Sequence, residues 1–334
     1  MIPETQKLFK EEHKQQALKL YGAEPDSVKD LGGFEAFVFE YKNNNQNYIL
    51  KITHTVRRSV DYLMGEIEFV NYLGDNGISL ARVVPSQNGK MVETIDDGQD
   101  GQFLVYAFEK IDGALSEPED WRDPFVAEWG EIMGAMHKLT HEFKPSDPAY
   151  KRQIWHQDDI YKFEKHIPAK DEVTLQNCQA VLNKIKQYPT DKDSFGLIHG
   201  DLHHGNFFKN NDGRIVVFDF DDCEHHYFIS DVTMPLYYAF LTVRSKGEKD
   251  LVGFAGNFFA SFMSGYNKNY RLDKFWFEKA DDFLMLRSAI LFTIFNQVWP
   301  DYETDEKKKG MVDNHRRILT GQSRMIDIDF VKHA

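Results

Sequence analysis

Residues 197–222 read Leu-Ile-His-Gly-Asp-Leu-His-His-Gly-Asn-Phe-Phe-Lys-Asn-Asn-Asp-Gly-Arg-Ile-Val-Val-Phe-Asp-Phe-Asp-Asp. The order places a carboxylate at Asp201, an amide at Asn206 and a second carboxylate at Asp219. Between the last two, Phe207–Lys209 and Arg214–Phe218 have strand character, and Asn-Asn-Asp-Gly between them is a strong turn signal. A hairpin there would fold Asp219 back toward Asn206. An ordinary hairpin with polar ends would account for the turn, but not for His199, Asp201, Asn206 and Asp219 falling in this order. The residue types suit phosphoryl transfer, which needs in-line positioning and charge cancellation more than covalent help. Mg²⁺ prefers oxygen ligands, so Asn206 and Asp219 are the candidate metal ligands and Asp201 is the candidate for orienting an attacking hydroxyl.

His-Gly-Asp followed by four residues and Asn, then Val217-Phe218-Asp219-Phe220-Asp221, resembles the catalytic segment of the aminoglycoside phosphotransferase/choline kinase-like family. The resemblance implies an α+β, protein kinase-like bilobal fold with a β-rich N-lobe and a mostly helical C-lobe. It implies ATP (or GTP) and Mg²⁺ as cofactors, and a small-molecule hydroxyl as acceptor. It also gives Asp231, in Ile-Ser-Asp-Val, the part of the aspartate that braces the catalytic loop.

Working outward, residues 1–107 read as the N-lobe, 108–113 as a hinge and 114–334 as the C-lobe. Helical spacing is expected over 4–21 and 59–74. Strands are expected around Gly32-Gly33, at Tyr48–Ile52, and near 81–84, 90–95 and 103–108. Asn43-Asn44-Asn45 reads as a hairpin turn. Helices dominate from Trp121, over 125–142, 174–188, 231–245, 250–267 and 275–298.

Further N-lobe features carry chemistry. Gly32 and Gly33 would let the backbone approach nucleotide phosphates, although a Gly-Gly turn by itself is common. Lys51, in Ile-Leu-Lys-Ile, stands where the resemblance puts the lysine that neutralises α- and β-phosphates. Glu66 is the favoured helical partner for it and Glu68 the competitor. Two positions turn a helical side chain by about 200°, so only one of them can face Lys51. The resemblance also matches Glu109-Lys110-Ile111-Asp112-Gly113 to the family's hinge, which implies that backbone groups of Glu109 and Ile111 meet the base edge.

Composition narrows the partners. Net charge is −13, which argues against a nucleic-acid binder. No apolar run suits a bilayer span: Phe283–Phe295 is short and interrupted by Arg287. Met1–Gln16 lacks a signal-peptide core, and Cys178 and Cys223 have no metal-type spacing, so a cytoplasmic protein is expected. Oligomeric state is not legible. His199 and His203 are four apart, but Gly200 and Gly205 argue for a loop, so structural zinc is not expected. Asp221, Asp222 and Glu224 form an acidic cluster, read either as a solvated loop or as an attractor for an amine-bearing substrate. Trp299-Pro300-Asp301-Tyr302 is a further candidate face for a cation.

Only twelve positions separate Asp219 from Asp231, which leaves no room for a long activation segment. The reading is a small-molecule kinase. A Ser/Thr protein kinase-like enzyme and a nucleotide-binding pseudokinase are the alternatives.

Overall fold

The computed structural model describes residues 3–33 and 36–334, so Phe34 and Glu35 of the glycine turn lie outside the described residues. The chain divides into two units. The first comprises 1–114, 142–152 and 207–221, and the second comprises 115–141, 153–206 and 222–334.

In the first unit, α1 (Pro3–Leu8) and α2 (Glu11–Leu20) precede an antiparallel sheet. Its strands are β1 (Lys29–Gly32), β2 (Phe37–Asn43), β3 (Gln46–His54), β4 (Val83–Val84), β5 (Glu93–Asp96) and β6 (Gln102–Glu109). Their order is β1-β2-β3-β6-β4, with β5 also on β6. β6 is the strand buried from Phe103 to Phe108, which explains its unbroken apolar run. Asn44 and Asn45 both take positive φ, 51° and 62°, to turn β2 into β3. Ala17 and Leu18 of α2 and Tyr21 at its C-terminal end pack on Phe39, Leu50, Ile52, Phe103 and Val105 to form this unit's core. Because side chains alternate along a strand, burying Leu50 and Ile52 sends Lys51 to the other face of β3.

Helix α3 (Val60–Asp75) is capped by Ser59, whose hydroxyl accepts from the Tyr62 amide. Segment 142–152, which the sequence reading allots to the C-lobe, packs along α3. A Cβ at Gly65 would lie 2.1 Å from the Tyr150 carbonyl oxygen, so the bare glycine is what allows that approach. Phe143 rests on Phe69 and Tyr72.

The helix expected over 4–21 is split at Phe9-Lys10. Phe9 turns inward to stack on Phe37 at 3.8 Å and meets Phe103 edge-on, and this burial outweighs helical continuity. The segment expected at 275–298 is likewise two helices, α9 (Lys274–Phe277) and α10 (Ala280–Val298).

The second unit is mostly helical: α4 (Phe125–Thr140), α5 (Phe163–His166), α6 (Glu172–Ile185), α7 (Phe228–Ser245), α8 (Leu251–Tyr266), α9, α10, α11 (Glu306–Leu319) and α12 (Phe330–His333). The sequence reading did not foresee α11. A two-stranded sheet pairs Phe195–Ile198 with Glu224–Tyr227. In the first unit, Phe207–Asn210 pairs with Ile215–Val217 around Gly213 (φ 78°), and also with Gly113-Ala114, so the expected hairpin is formed. Val217 also exchanges backbone hydrogen bonds with Ser79 and Ala81, which fixes the hairpin to the first unit.

Helices α4 and α8 cross closely because small residues line the contact. A Cβ on Gly130 would lie 1.9 Å from Phe262 O, and one on Gly265 would lie 1.7 Å from Ala127 O. Backbone atoms cannot rotate away as a side-chain tip can. Gly130→Ala and Gly265→Ala should therefore each destabilise the fold by about 1–3 kcal/mol. Gly310→Ala, in α11 with open space around it, should be neutral or slightly stabilising. Urea titration of the three variants measures the difference.

Candidate active site

The first unit holds a partly buried cation between two carboxylates. Lys51 Nζ lies 2.6 Å from Asp219 Oδ1 and 3.0 Å from Asp221 Oδ1. The Phe108 ring lies 5.5 Å from the ammonium, and the Tyr106 hydroxyl reaches Asp221 at 3.5 Å. Burial disfavours the charge on Lys51, but Asp221 and Asp219 outweigh it and hold the ammonium well above its ordinary pKa. Burial likewise opposes the charge of Asp221, and Lys51 and Arg58 outweigh it, keeping that carboxyl below the usual range. Asp219 adopts left-handed backbone at φ 66°, a strained conformation for a residue with a Cβ. Its side chain is 41% exposed, and Oδ1 is committed to Lys51, so Oδ2 is the oxygen left to a ligand.

The expected Lys51–Glu66 ion pair is absent, and this corrects the sequence reading. The lysine is satisfied by Asp219 and Asp221, and both Glu66 oxygens are buried with no hydrogen-bond partner among the described residues. Burial, then the neighbouring Asp221 charge, push Glu66 up to about 8 against the pull of Arg152, Lys51 and Arg58. That shift favours the protonated carboxyl, which weakens the pull of Glu66 on Lys51 relative to Asp221 and Asp219. Glu68 faces elsewhere and accepts from the Ser146 amide at 2.8 Å. Arg152 joins α3 to the segment after Asp219. It stacks 3.6 Å above the Tyr62 ring, donates to Tyr62 O at 3.0 Å, and donates to Asp221 O at 2.6 Å.

Gly32 and Gly33 both take positive φ, 75° and 144°. A Cβ on Gly33 would lie 2.1 Å from Ala36 O, so this turn requires glycine. The Glu109 amide is already used, donating to Arg82 O at 2.8 Å. The Ile111 amide makes no hydrogen bond with the described residues, which leaves it as a donor.

The second unit holds the other half of the motif. Asp201 Oδ1 accepts from Arg287 Nη2 at 2.5 Å. Asn206 Nδ2 donates to Asp201 O at 2.8 Å and to Oδ2 at 3.2 Å, and His203 Nε2 lies 3.3 Å from Oδ2. Burial works against the Asp201 charge, but Arg287, then His203 and His199, hold its carboxyl below the ordinary range. With its NH₂ spent on Asp201, Asn206 keeps its amide oxygen available, and an amide oxygen suits a hard divalent cation.

Asp231 underpins this loop. Oδ1 accepts from Gly200 N at 3.0 Å, and Oδ2 accepts from His199 N at 3.2 Å and lies 3.2 Å from His137 Nε2. Gly200 (φ 83°) passes so near Asp222 that a Cβ would sit 2.4 Å from its carbonyl oxygen. His204 packs 4.8 Å from the Trp121 ring, and burial first, then His203, pull it down to about 4. His226 stacks on Trp155 at 4.6 Å. Trp299 stacks on Phe295 with Lys308 5.9 Å from its ring, so a lysine of the chain already occupies the aromatic face considered for a cation.

Sequence reasoning missed Arg152, Arg287 and the pairing role of Asp221. A cation in the middle of an apolar helix, as at Arg287, was the available signal: burying it demands a counter-charge.

Comparison with known proteins places the chain in a family. The chain is 37% identical to the amicoumacin kinase of Bacillus subtilis (strain 168) over 328 residues, covering 98% of this chain and 97% of that protein. A solved amicoumacin kinase in complex with AMP-PNP, Ca²⁺ and Ami superposes with a TM-score of 0.95 at 35% identity, over the whole of both chains. A microcompartment-associated aminopropanol kinase shares the fold at a TM-score of 0.75 and 20% identity, covering 93% of this chain and 98% of that one. A family model described as "Phosphotransferase enzyme family" matches residues 28–261, and the chain belongs to that family.

Proposed function

We propose that this protein transfers the γ-phosphate of ATP to a hydroxyl of an amine-bearing small molecule, with amicoumacin as the first acceptor to test. The observation that carries the reading is the 2.6 Å contact between Lys51 and Asp219, residues 168 positions apart. It joins a strand lysine able to neutralise phosphates to a carboxylate able to hold their metal.

Asp201 orients the acceptor hydroxyl toward the γ-phosphate and takes its proton late. A carboxylate already stabilised by Arg287 is a weak base, which suits a loose transition state in which positioning matters most. Asn206 and Asp219 would hold Mg²⁺, which when bound neutralises charge on the phosphates. Lys51 neutralises the α- and β-phosphates, and Gly32-Gly33 lets the backbone pass over them. The Glu109 carbonyl and Ile111 amide meet the base edge. Glu66 supports this group as a buried, largely neutral neighbour. We assign residues 1–107 to the nucleotide lobe, 108–113 to the hinge and 114–334 to the acceptor lobe, with 142–152 and 207–221 packed on the first.

ATP is favoured over GTP because the solved amicoumacin kinase carries AMP-PNP. An amine-bearing acceptor is favoured by the net charge of −13 and by Asp158, Asp222 and Glu224, whose charges all act on Tyr161. A cytoplasmic site of action fits two buried free cysteines, and among the described residues no helix is long and apolar enough to cross a membrane.

ADP release with amicoumacin and a panel of amino alcohols tests the activity. Asp201→Asn should lower kcat by about 10²–10⁴-fold while leaving the KM for ATP nearly unchanged. Wild-type turnover in that variant would remove Asp201 from its role.

ATP should raise the melting temperature only when Mg²⁺ is present, by the equivalent of about 2.7 kcal/mol at one hundred times Kd. Asp219→Ala should abolish the shift and Asn206→Ala should reduce it. Equal shifts with and without Mg²⁺ would point to a nucleotide-binding module without metal-bridged phosphates.

If the acceptor is cationic, its KM should rise with ionic strength, and Asp222→Asn should raise KM more than it lowers kcat. A salt-independent KM would leave the acidic cluster as a solvated loop.

A further inference from the structure

Arg287 lies near the middle of α10, among the buried residues Leu284, Leu286, Ala289, Leu291 and Phe292. A guanidinium in such a setting is costly unless it is paired and its donors are used. Its side chain is only 18% exposed, and its donors converge on one place. Nη2 binds Asp201 Oδ1 at 2.5 Å, Nε donates to the Tyr238 hydroxyl at 3.1 Å, and Nη2 reaches that hydroxyl too. The guanidinium also lies 5.1 Å from the Tyr238 ring centroid, and the same ring packs 4.4 Å from His203.

The Asp201 carboxylate is thus gripped from two sides. Arg287 holds Oδ1, while Asn206 and His203 hold Oδ2. A carboxylate offers about four lone-pair directions, so these contacts fix its rotation and leave little beyond the direction meant for a ligand. Asn206 and His203 come from the same loop as Asp201, and among the described residues the Arg287 contact is the one that ties the carboxyl to the helical scaffold. We propose that Arg287 is the positioning residue for Asp201, holding its carboxylate in the orientation that aligns the acceptor hydroxyl, with Tyr238 fixing Arg287 in turn. This rests on the phosphotransferase reading above, in which Asp201 meets the acceptor.

A misplacement of about 1 Å costs on the order of 10²-fold in rate when positioning is the main contribution. The test follows transfer of labelled γ-phosphate from ATP to amicoumacin, with melting temperatures recorded for every variant. Arg287→Met should lower kcat about 10²-fold with the KM for ATP unchanged. Arg287→Lys, which keeps the charge and loses the fork, should fall between Arg287→Met and wild type. Tyr238→Phe should give a smaller loss in the same direction, and it keeps the test available should Arg287→Met not fold. Because Arg287 acts through Asp201, the Asp201→Asn/Arg287→Met double variant should be no slower than Asp201→Asn alone.

Wild-type kcat in a folded Arg287→Met, or a further full loss when it is added to Asp201→Asn, would overturn the positioning role. A lowered melting temperature with kcat per folded enzyme unchanged would make Arg287 purely structural. Absence of transfer to any acceptor by the wild-type protein would instead overturn the functional reading, and this inference with it.

Discussion

The first unit is organised around one electrostatic contact, the Lys51 ammonium between Asp219 and Asp221. A lysine largely withdrawn from water on a central strand is costly unless carboxylates stand beside it, and two carboxylates side by side repel unless a cation separates them. Each group justifies the others. The contact joins β3 to the end of the 207–217 hairpin, and it leaves Asp219 with strained backbone and an outward oxygen. In the proposed function, that is a suitable state for a carboxylate shared between a lysine and a metal-bound phosphate.

The same electrostatics explain the silence of Glu66. With burial and the Asp221 charge acting together, a second anionic charge in that interior is unfavourable, and the Glu66 carboxyl is pushed up to about 8. The linking task passes to Arg152, whose guanidinium spans from the Tyr62 ring to the Asp221 carbonyl. An arginine suits this because its planar fork stacks on an aromatic ring and donates along its edge at the same time.

The second unit achieves order differently. Asp231, fully buried, gathers two amides of the catalytic loop and His137. His137 in turn bonds to the Tyr266 hydroxyl on α8, and α8 can lie against α4 because glycines line their crossing. Backbone packing tens of residues from the loop in sequence therefore supports the seat of Asp201. Arg287 adds a second tie, from α10.

Much of this was legible in the sequence because the relevant signals are local. The order His199, Asp201, Asn206, Asp219 with an Asn-Asp-Gly turn between strands needs nothing beyond a short segment to be read. The strand-like Ile-Leu-Lys-Ile marked Lys51, and periodicity marked α3, α4, α6, α7 and α8. What tertiary structure decided is everything set by competition between distant groups. Phe9 left its helix because Phe37 and Phe103 offered a better contact. Lys51 took Asp219 and Asp221 rather than Glu66, since the balance of burial and charge depends on which groups the fold crowds together. Arg152 and Arg287 looked like ordinary arginines until the fold buried them, because a charge discloses its task only through the partner brought to meet it.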